Sequence, residues 1–222
     1  MNYYADNKDL LLAYCSKNNI DLSLTQQDMI KEYVLFLQKW NKYYNLTSIS
    51  DLKGIITHHI IDSISVLPFL DSILEFHDVD ICDVGSGAGL PGIIISIMRP
   101  NWNVVCVDSI GKKTVFMNQI GHMLGLSNLK VIKSRIELLD GLSFDLIISR
   151  AFSSLKNFAK YTKHLLKVDG IFCAMKGKIP NDEILDLLST QEFFVDKIEI
   201  LDNIDFMTNR CLVFVRNIKI DM

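Results

Sequence analysis

A glycine-rich stretch, residues 79–92, has the spacing in this sequence that is most typical of ligand binding. An apolar run of strand length, residues 79–84, comes first, and an apolar segment with helical character, residues 90–98, comes last. Between them lie three glycines at alternate positions, Gly85, Gly87 and Gly89. Glycine allows positive φ angles and lets a ligand approach the backbone without meeting a Cβ. Because the first N–H groups of the following helix face such a ligand, the stretch predicts a binding loop.

Two acidic residues near the glycines narrow the choice of ligand. Asp83 precedes Gly85 by two residues, and Asp108 ends the next predicted strand, about 20 residues beyond the glycines, where a carboxylate can accept from ribose hydroxyls. The dinucleotide fingerprint G-x-G-x-x-G has a different glycine spacing. The pattern D-x-G-x-G-x-G resembles the first motif of the class I S-adenosylmethionine (AdoMet) methyltransferases. The alternative is a glycine turn in an ordinary βα unit.

Alternating strand-length and helix-length segments place this loop in an α/β fold. We predict a Rossmann-like class I methyltransferase core, with a seven-stranded, mostly parallel sheet and helices on both faces. The last two predicted strands, residues 193–201 and 210–215, form a hairpin, so one strand is antiparallel. We expect an N-terminal helical extension over residues 1–75 and the AdoMet-binding core over residues 76–222, within one compact domain overall.

The predicted N-terminal extension contains two helices that bear on the site. Thr25 and Asp28 resemble a capping box that opens a helix ending near residue 44. We interpret the aromatic cluster at the end of that helix as a lid over the core rather than a base-stacking platform. Its members are Trp40, Tyr43 and Tyr44. Residues 51–70 are predicted to form one further helix.

A pair of histidines in that further helix invites a zinc interpretation, which we reject. His58 and His59 are adjacent, so they point about 100° apart on a helix and do not share a face as an i, i+4 pair does. Asp62 follows, but no third ligand lies nearby in the sequence. We therefore expect no metal, and we expect His59 to face or cap the ligand pocket.

The charge distribution favours a polyanionic partner, although the formal net charge is −3. Residues 99–178 contain 13 Lys and Arg against 5 Asp and Glu, a local charge of +8. A helix over residues 154–167 is predicted to present four lysines on one face. Such a field can steer RNA, whereas scattered lysines on a solvated surface are the alternative. The candidate RNA-binding residues are Lys112, Lys113, Arg135, Lys156, Lys160, Lys163 and Lys167.

Length and composition predict a soluble, cytoplasmic protein, which we expect to be a monomer without a membrane partner. No apolar run reaches membrane-spanning length, and residues 1–12 lack the basic-then-apolar pattern of a signal sequence. Five cysteines show neither a C-x-x-C pair nor metal-ligand spacing, so we predict that they are reduced core residues.

Ligands of open α/β sheets bind at the carboxyl ends of the strands, and those ends supply the candidate site. Ile136 and Glu137 are expected to flank adenine, and Leu90 to touch the methionine portion or the ribose. Arg150 can bind phosphate or the AdoMet carboxylate, or form a structural salt bridge instead. The candidate catalytic residues are Arg150, Lys176 and His59. The candidate cofactor-binding residues are Asp83, Gly85, Gly87, Gly89, Leu90, Asp108, Ile136, Glu137 and Arg150.

The sequence around Arg150 also indicates which acceptor atom is methylated. It lacks the Asn/Asp-Pro-Pro-aromatic motif of adenine amino methyltransferases, and no cysteine stands in the context that cytosine C5 chemistry needs. A guanine N7 acceptor requires neither, because its lone pair is nucleophilic and carries no proton. Holding N7 in line with the methyl–sulfur bond is largely a matter of proximity and orientation.

Motifs spread in order over about residues 35–178 resemble the family of ribosomal RNA small-subunit methyltransferase G, also called glucose-inhibited division protein B. The most specific are Gly-Leu-Pro-Gly at 89–92, Ser-Arg-Ala-Phe at 149–152 and Met-Lys-Gly at 175–177. The resemblance implies AdoMet-dependent methylation of guanine N7 in the decoding-region loop of 16S ribosomal RNA, as naked RNA or in the small subunit. It implies cofactor contacts at Gly85, Leu90, Ile136, Glu137 and Arg150, and it matches the N-terminal helical extension.

Three other functions stay open at this point. One is a ribosome-assembly factor that binds AdoMet without turnover, and another is a small-molecule methyltransferase, which the predicted lysine face disfavours. The third is a Rossmann oxidoreductase, which the glycine spacing disfavours. Methyl transfer from labelled AdoMet, or binding of NAD, would separate them.

Overall fold

The computed structural model describes residues 3–74, 78–150, 152–201 and 210–218. Its α-helices are α1 (Tyr3–Lys17), α2 (Leu24–Tyr44), α3 (Leu52–Ile55), α4 (Asp62–Ile64), α5 (Leu67–Ile73), α6 (Gly92–Met98), α7 (Gly111–Met123), α8 (Leu155–Thr162) and α9 (Asn181–Leu188). Its strands are β1 (Asp80–Val84), β2 (Asn103–Asp108), β3 (Leu129–Lys133), β4 (Phe144–Arg150), β5 (Leu166–Lys176), β6 (Phe193–Ile200) and β7 (Cys211–Asn217). The predicted boundary between residues 75 and 76, and Ala151 of the Ser-Arg-Ala-Phe motif, lie outside the described residues.

The strands form a single seven-stranded sheet in the order β3-β2-β1-β4-β5-β7-β6. β7 runs antiparallel to both of its neighbours, while the pairs among β1 to β5 are parallel. The chain moves outward from β1 to β3 and then returns to pair β4 with β1, which makes the β1–β4 junction the switch point where α/β sheets bind ligands. The predicted α/β class with one antiparallel strand is confirmed.

Helices cover both faces of the sheet, and this explains why its central strands read as continuous apolar runs. Along β1, Ile81 packs into one hydrophobic core with residues of α1, α2, α6 and α7. The next residue, Cys82, packs into a second core with residues of α8 and α9 on the opposite face. The N-terminal helices therefore share a core with one face of the sheet.

The start of α2 differs from the predicted capping box. Ser23, not Thr25, is the N-cap: its Oγ accepts from the Gln26 N–H at 3.2 Å, and Gln26 Oε1 accepts from the Ser23 N–H at 3.0 Å. The predicted partner Asp28 takes no part in the box, because the extended backbone that a cap needs occurs at Ser23, with ψ 158°. Further along α2, the Tyr33 hydroxyl donates to the carbonyl of Ala88 at 2.8 Å, which ties the helix to the glycine loop.

The single helix predicted over residues 51–70 is instead a broken series. Asp51 caps α3, since its Oδ1 accepts from the Gly54 N–H at 2.7 Å. A π-helical turn, Ile56–Ile61, follows, and then come α4 and, after a short interruption, α5. Pro68 lies at the start of α5, where a missing N–H is tolerated. π-Helical turns are frequent at functional sites, and this one contains both adjacent histidines.

The helix predicted over residues 154–167 is also shorter than expected. α8 ends at Thr162, a 3₁₀ turn covers Lys163–Leu165, and β5 already begins at Leu166. Lys167 is therefore a strand residue, and the predicted face of four lysines on one helix is wrong. The helical spacing of the lysines continues past the end of the helix into the first, partly exposed residues of β5, whose buried run begins only at Gly170.

All five cysteines are buried and none is bonded to another, as the prediction of core residues requires. No helix in the described residues is long and apolar enough to span a bilayer.

Candidate active site

Two cavities lie beside the carboxyl end of β4, one on each side. The first, of about 390 Å³, follows the ends of β1, β2 and β3 and is called here the glycine-loop pocket. The second, of about 910 Å³, is called the Arg150 cleft and faces the N-terminal helices. Arg150, the last residue of β4, lines the cleft, and Phe152 lines the pocket. The site therefore has two adjoining halves, as two ligands that react with each other need.

The glycine-loop pocket is lined by four of the nine predicted cofactor-binding residues: Gly85, Asp108, Ile136 and Glu137. Ile136 is the buried first residue of the short 3₁₀ turn Ile136–Leu138. The next residue, Glu137, is exposed at the rim of the pocket. Leu90 is buried and contributes to the core below the loop, so it does not line the described wall. The lining residues are Val84, Gly85, Val107, Asp108, Ser109, Ile110, Lys113, Ser134, Arg135, Ile136, Glu137 and Phe152.

The loop glycines serve two different purposes. Gly85 and Gly87 have φ of 69° and 62°, and a Cβ built on Gly85 meets nothing within 4 Å while one on Gly87 meets only the Gly85 carbonyl at 3.9 Å. These two positions leave open space for a ligand. Gly89, with φ 83°, is instead enclosed, because its Cβ would lie 2.3 Å from Cδ1 of Ile93. The third glycine of the motif is therefore required by packing.

Asp108 organises the loop as well as lining the pocket. Its Oδ2 accepts from the Gly87 N–H at 3.0 Å, its Oδ1 accepts from the Ile110 N–H at 2.8 Å, and Lys113 lies 3.4 Å away. Oδ2 accepts from both Gly87 and Lys113, whereas Oδ1 accepts from Ile110 alone and retains a further lone pair that can accept from a hydroxyl group. The predicted ribose partner thus sits in the pocket, held rigid by two backbone N–H groups.

Asp83 lies beneath the loop rather than in the pocket. It is fully buried, and its Oδ2 accepts from the Gly92 N–H at 2.9 Å, where a Cβ on residue 92 would clash with Cys106 and Asp83. Its other oxygen, Oδ1, has no hydrogen-bond partner within the described chain. Burial raises the pKa of Asp83 to about 7, although the Gly92 N–H favours the charged form.

These features fit a ligand that combines an adenosine with a cationic amino-acid end. The open backbone at Gly85 and Gly87 gives it room, Asp108 presents a carboxylate to hydroxyls, and an apolar wall at Ile136 suits a flat ring. The unpaired Oδ1 of Asp83 adds a buried carboxyl oxygen below the loop, and a nearby cation would stabilise the charged form of that carboxyl.

The Arg150 cleft is built around a buried carboxylate that is shared by two arginines. Arg150 Nη1 lies 3.2 Å from Asp62 Oδ2, and Arg210 Nε lies 3.4 Å from Asp62 Oδ1. Asp62 is 1 % exposed, whereas the two arginines are 20 % and 29 % exposed and line the cleft. Two cations on one carboxylate leave the group with net positive charge at the cleft wall, which suits an anionic or electron-rich ligand.

His59 lies against this group, as the expectation that it faces a pocket requires. Its Nε2 is 2.8 Å from the Thr47 hydroxyl, and its Nδ1 is 3.0 Å from the carbonyl of His58, to which Arg150 also donates at 3.1 Å. Burial, and then the neighbouring Arg150 cation, lower the pKa of His59 to about 4. At neutral pH the ring is therefore uncharged. Within the described residues no group of three His, Cys, Asp or Glu is placed to hold a metal.

The third catalytic candidate and two of the predicted lysines are already paired with carboxylates. Lys176 Nζ lies 2.7 Å from Glu183 Oε2 and joins β5 to α9, while Lys156 pairs with Asp186 at 2.8 Å and Lys163 pairs with Glu192. None of these three lysines lines either cavity.

The other RNA-binding candidates are divided between the amino ends and the carboxyl ends of the strands. Lys167 bonds Asp80 and Asp145 at the amino edge, opposite the cavities, and Lys160 is exposed on α8. Lys113 and Arg135 line the glycine-loop pocket, and Lys112 is exposed at the start of α7.

Sequence reasoning missed several residues of the cleft. Lys53 and Thr57 come from the broken helical segment, and Arg210 immediately precedes β7, far along the chain. No local motif pointed to Arg210, since its role depends on β7 lying beside β5. The remaining lining residues are Ser48, Ile49, Ser50, Asp51, Gly54 and His58.

Comparison with known proteins shows which family this chain resembles in sequence. A family model described as rRNA small subunit methyltransferase G matches residues 26–212. Among curated relatives, Ribosomal RNA small subunit methyltransferase G of Bordetella pertussis (strain Tohama I) is 40 % identical over 93 % of this chain and 91 % of its own length. The protein of the same name from Neisseria meningitidis serogroup B (strain MC58) is 39 % identical over 89 % of this chain and 92 % of its own.

Solved structures support the fold at low sequence identity. A ribosomal protein L11 methylase from Lactobacillus delbrueckii subsp. bulgaricus aligns with TM-score 0.56 and 13 % identity, covering 72 % of this chain and 78 % of its own. A SAM dependent methyltransferase from Aquifex aeolicus aligns with TM-score 0.54 and 19 % identity, covering 73 % and 92 %. The family match over most of the chain and the two-part site agree, so this chain belongs to the ribosomal RNA small subunit methyltransferase G family.

Proposed function

We propose that this enzyme transfers the methyl group of AdoMet to N7 of a guanine in the decoding-region loop of 16S ribosomal RNA. The observation that carries the proposal is the pair of cavities at the end of β4. A glycine loop suited to AdoMet lies on one side and a cation-lined cleft large enough for a nucleotide lies on the other. Family membership supplies ribosomal RNA as the substrate class.

On this proposal the glycine-loop pocket holds AdoMet. The backbone at Gly85 and Gly87 faces the ligand, Asp108 accepts from the ribose hydroxyls, and Ile136 packs on the adenine. Asp83, below the loop, balances the charge of the cationic end. When bound, AdoMet supplies a methyl group on a positively charged sulfur, which is open to attack by a lone pair.

The residues of the Arg150 cleft position the acceptor and need not remove a proton. Guanine N7 is nucleophilic as it stands, so catalysis depends on alignment and on exclusion of water. Asp62 holds Arg150 in place through its Nη1 atom. Nε and Nη2 of Arg150 bond to no described residue, so they can donate to guanine O6 or to a phosphate. His59 is neutral and hydrogen-bonded to Thr47, which makes it a positioning residue for Arg150 rather than a base.

The RNA approaches over the carboxyl edge of the sheet, where Lys112, Lys113 and Arg135 lie. Lys156 at the start of α8 is near the same edge, but its pairing with Asp186 reduces its contribution. Lys160, Lys163 and Lys167 lie farther along α8 and at the start of β5, so we assign them little or no part in RNA binding. We also propose that the enzyme acts as a monomer in the cytoplasm, which light scattering and fractionation test.

Methyl transfer from labelled AdoMet tests the function directly. Purified small-subunit particles and deproteinised RNA are incubated with the enzyme, and the labelled nucleoside is identified after digestion. We expect N7-methylguanosine, and the better of the two substrates shows which form is recognised. A Gly85→Val variant, which fills the glycine-loop pocket, serves as the inactive control. AdoMet binding without transfer to either substrate would reject the proposal in favour of an assembly factor or a small-molecule enzyme.

A further inference from the structure

The C-terminal end of α2 exposes two aromatic rings, those of Tyr43 and Tyr44, beyond the rings of Phe36 and Trp40 that pack against the core. Phe36, Trp40 and Tyr44 form successive tilted ring contacts, with centroid distances of 5.6 Å and 4.7 Å, and Phe36 stacks on Phe116. Tyr44 is 44 % exposed, and Tyr43 is 77 % exposed with no ring contact among the described residues. The interpretation of all three aromatics as a core lid is thus wrong for Tyr43. Two consecutive large exposed rings form an apolar patch of the kind that marks an interaction surface.

The surroundings of these rings are positively charged. Residues 39–50 and 109–119 contain Lys39, Lys42, Lys112 and Lys113, and they contain no Asp or Glu. Lys112 Nζ donates to the Tyr44 carbonyl at 2.6 Å, so the start of α7 is joined to the end of α2. Lys42 and Lys112 are both exposed. We call Lys42, Tyr43, Tyr44 and Lys112 the tyrosine surface, and its chemistry suits aromatic bases linked by phosphates.

A short braced segment connects the tyrosine surface to the Arg150 cleft. The Asn41 side chain accepts from the Thr47 N–H at 2.8 Å and donates to the Ile49 carbonyl at 3.3 Å. Ile49 and its neighbours line the cleft, and Thr47 bonds His59 at its wall. A strand of RNA with one base in the cleft can therefore continue onto Tyr43 over a surface held in place by hydrogen bonds.

We propose that a base of single-stranded RNA beside the target guanosine stacks on Tyr43, while Lys42 and Lys112 bind the phosphates around it. The inference rests on the proposed function, since it takes the Arg150 cleft as the guanosine site. Stacking tolerates any base, and sequence-specific RNA recognition targets unpaired nucleotides whose faces are accessible. Tyr43 thus selects an unpaired stretch of RNA next to the reacting guanosine, without reading its sequence.

Binding of a fluorescently labelled, single-stranded ten-nucleotide RNA, followed by anisotropy, tests the inference. We expect Tyr43→Ala to weaken binding about tenfold, the range found for loss of one stacked base, and Tyr43→Phe to bind within about twofold of wild type. Lys42→Gln and Lys112→Gln should each lower the dependence of binding on salt. The matched control is Tyr161→Ala, since Tyr161 is 38 % exposed on α8, which packs on the opposite face of the sheet.

The outcomes separate this inference from the proposed function. Equal binding by wild type and Tyr43→Ala, or an equal loss in Tyr43→Phe, would overturn the stacking role. A Tyr43→Ala defect seen only on small-subunit particles, with RNA binding unchanged, would assign the surface to a protein partner and overturn the inference too. Tyr43-dependent RNA binding by an enzyme that transfers no methyl group would support the inference and reject the methylation proposal alone.

Discussion

The glycine-loop pocket and the Arg150 cleft both lie at the end of β4, but different parts of the chain line them. The pocket presents backbone atoms of strand ends and the loops between β1 and β4, with Asp108 fixed by two N–H groups. The cleft presents side chains from positions as far apart in sequence as Ser48 and Arg210, organised by Asp62. The pocket depends on its open glycines and on one carboxylate held by loop N–H groups, whereas the cleft depends on charged side chains from distant parts of the chain.

Replacing Arg150 should have the largest effect, and it should impair the Arg150 cleft while leaving the glycine-loop pocket intact. We expect Arg150→Ala to reduce methyl transfer to RNA by about 100-fold through lost positioning, with AdoMet affinity within about threefold of wild type. Stability should fall by about 3 kcal/mol, because buried Asp62 loses one of its two cations. Single-turnover assays and AdoMet calorimetry measure the two effects. A parallel loss of AdoMet affinity would instead place Arg150 in the cofactor half.

Substitutions at two loop glycines should have different effects, because Gly85 leaves space for a ligand whereas Gly89 is enclosed by packed side chains. Gly89→Ala forces a Cβ to 2.3 Å from Ile93, so we expect stability to fall by about 3 kcal/mol in urea unfolding. Gly85→Ala meets no atom and carries only the strain of its positive φ, about 1 kcal/mol. We expect AdoMet affinity to fall about tenfold in Gly85→Ala. Equal stability of the two variants would contradict the packing role of Gly89.

The two halves should also respond to pH with opposite signs. The pKa of His59 falls from 6.5 to about 4 on folding, so its contribution to stability is lost as pH falls from 6.5 toward 4. The pKa of Asp83 rises from 3.8 to about 7, so its contribution is lost as pH rises through that range.

Unfolding of two variants across pH 4 to 7 isolates each group. His59→Gln should lose about 2 kcal/mol less than wild type on acidification from pH 6.5 to 4. Asp83→Asn should gain stability relative to wild type as the pH rises, while its AdoMet affinity falls. Parallel pH profiles for wild type and both variants would show that neither group titrates on folding.

The smallest effect is expected at Lys176. Its ammonium pairs with Glu183, which also accepts from the Leu155 N–H at 2.8 Å, so the residue connects β5, α8 and α9 outside both cavities. Lys176→Gln should lower stability by about 1 kcal/mol and change methyl transfer less than threefold. Lys156→Gln, which breaks a similar pair with Asp186, is the matched control. A tenfold loss of transfer at unchanged stability would restore Lys176 as a candidate catalytic residue.

The glycine-loop pocket could be predicted from sequence because its signals are local. Gly85, Gly87 and Asp108 stand at fixed spacings after apolar strands, and the strand ends of a parallel sheet meet at one edge. Most of the Arg150 cleft could not be predicted. Arg210 reaches it through the antiparallel placement of β7, and the π-helical turn around His59 has no signature in the spacing of its residues.

Two errors of prediction show where periodic patterns mislead. Lysines at helical spacing suggested a helix through Lys167, but α8 ends at Thr162 and Leu166 already pairs with Phe144 of β4. The aromatic cluster suggested a core lid, but only Trp40 and Tyr44 stack, and Tyr43 faces solvent. In both cases tertiary packing decided what the local pattern left undetermined.

Because Asp62 pairs with Arg210, the two cavities are completed in a fixed order while the chain is made and folds. A ribosome makes the chain from its N-terminus, so every residue that lines the glycine-loop pocket has been joined to the chain before Arg210. β7, which pairs with β6, then has to pair with β5 to bring Arg210 to Asp62. During synthesis Asp62 lacks one of its two cations until that pairing occurs. The Arg150 cleft is therefore completed only after all the residues that line the glycine-loop pocket have been synthesised.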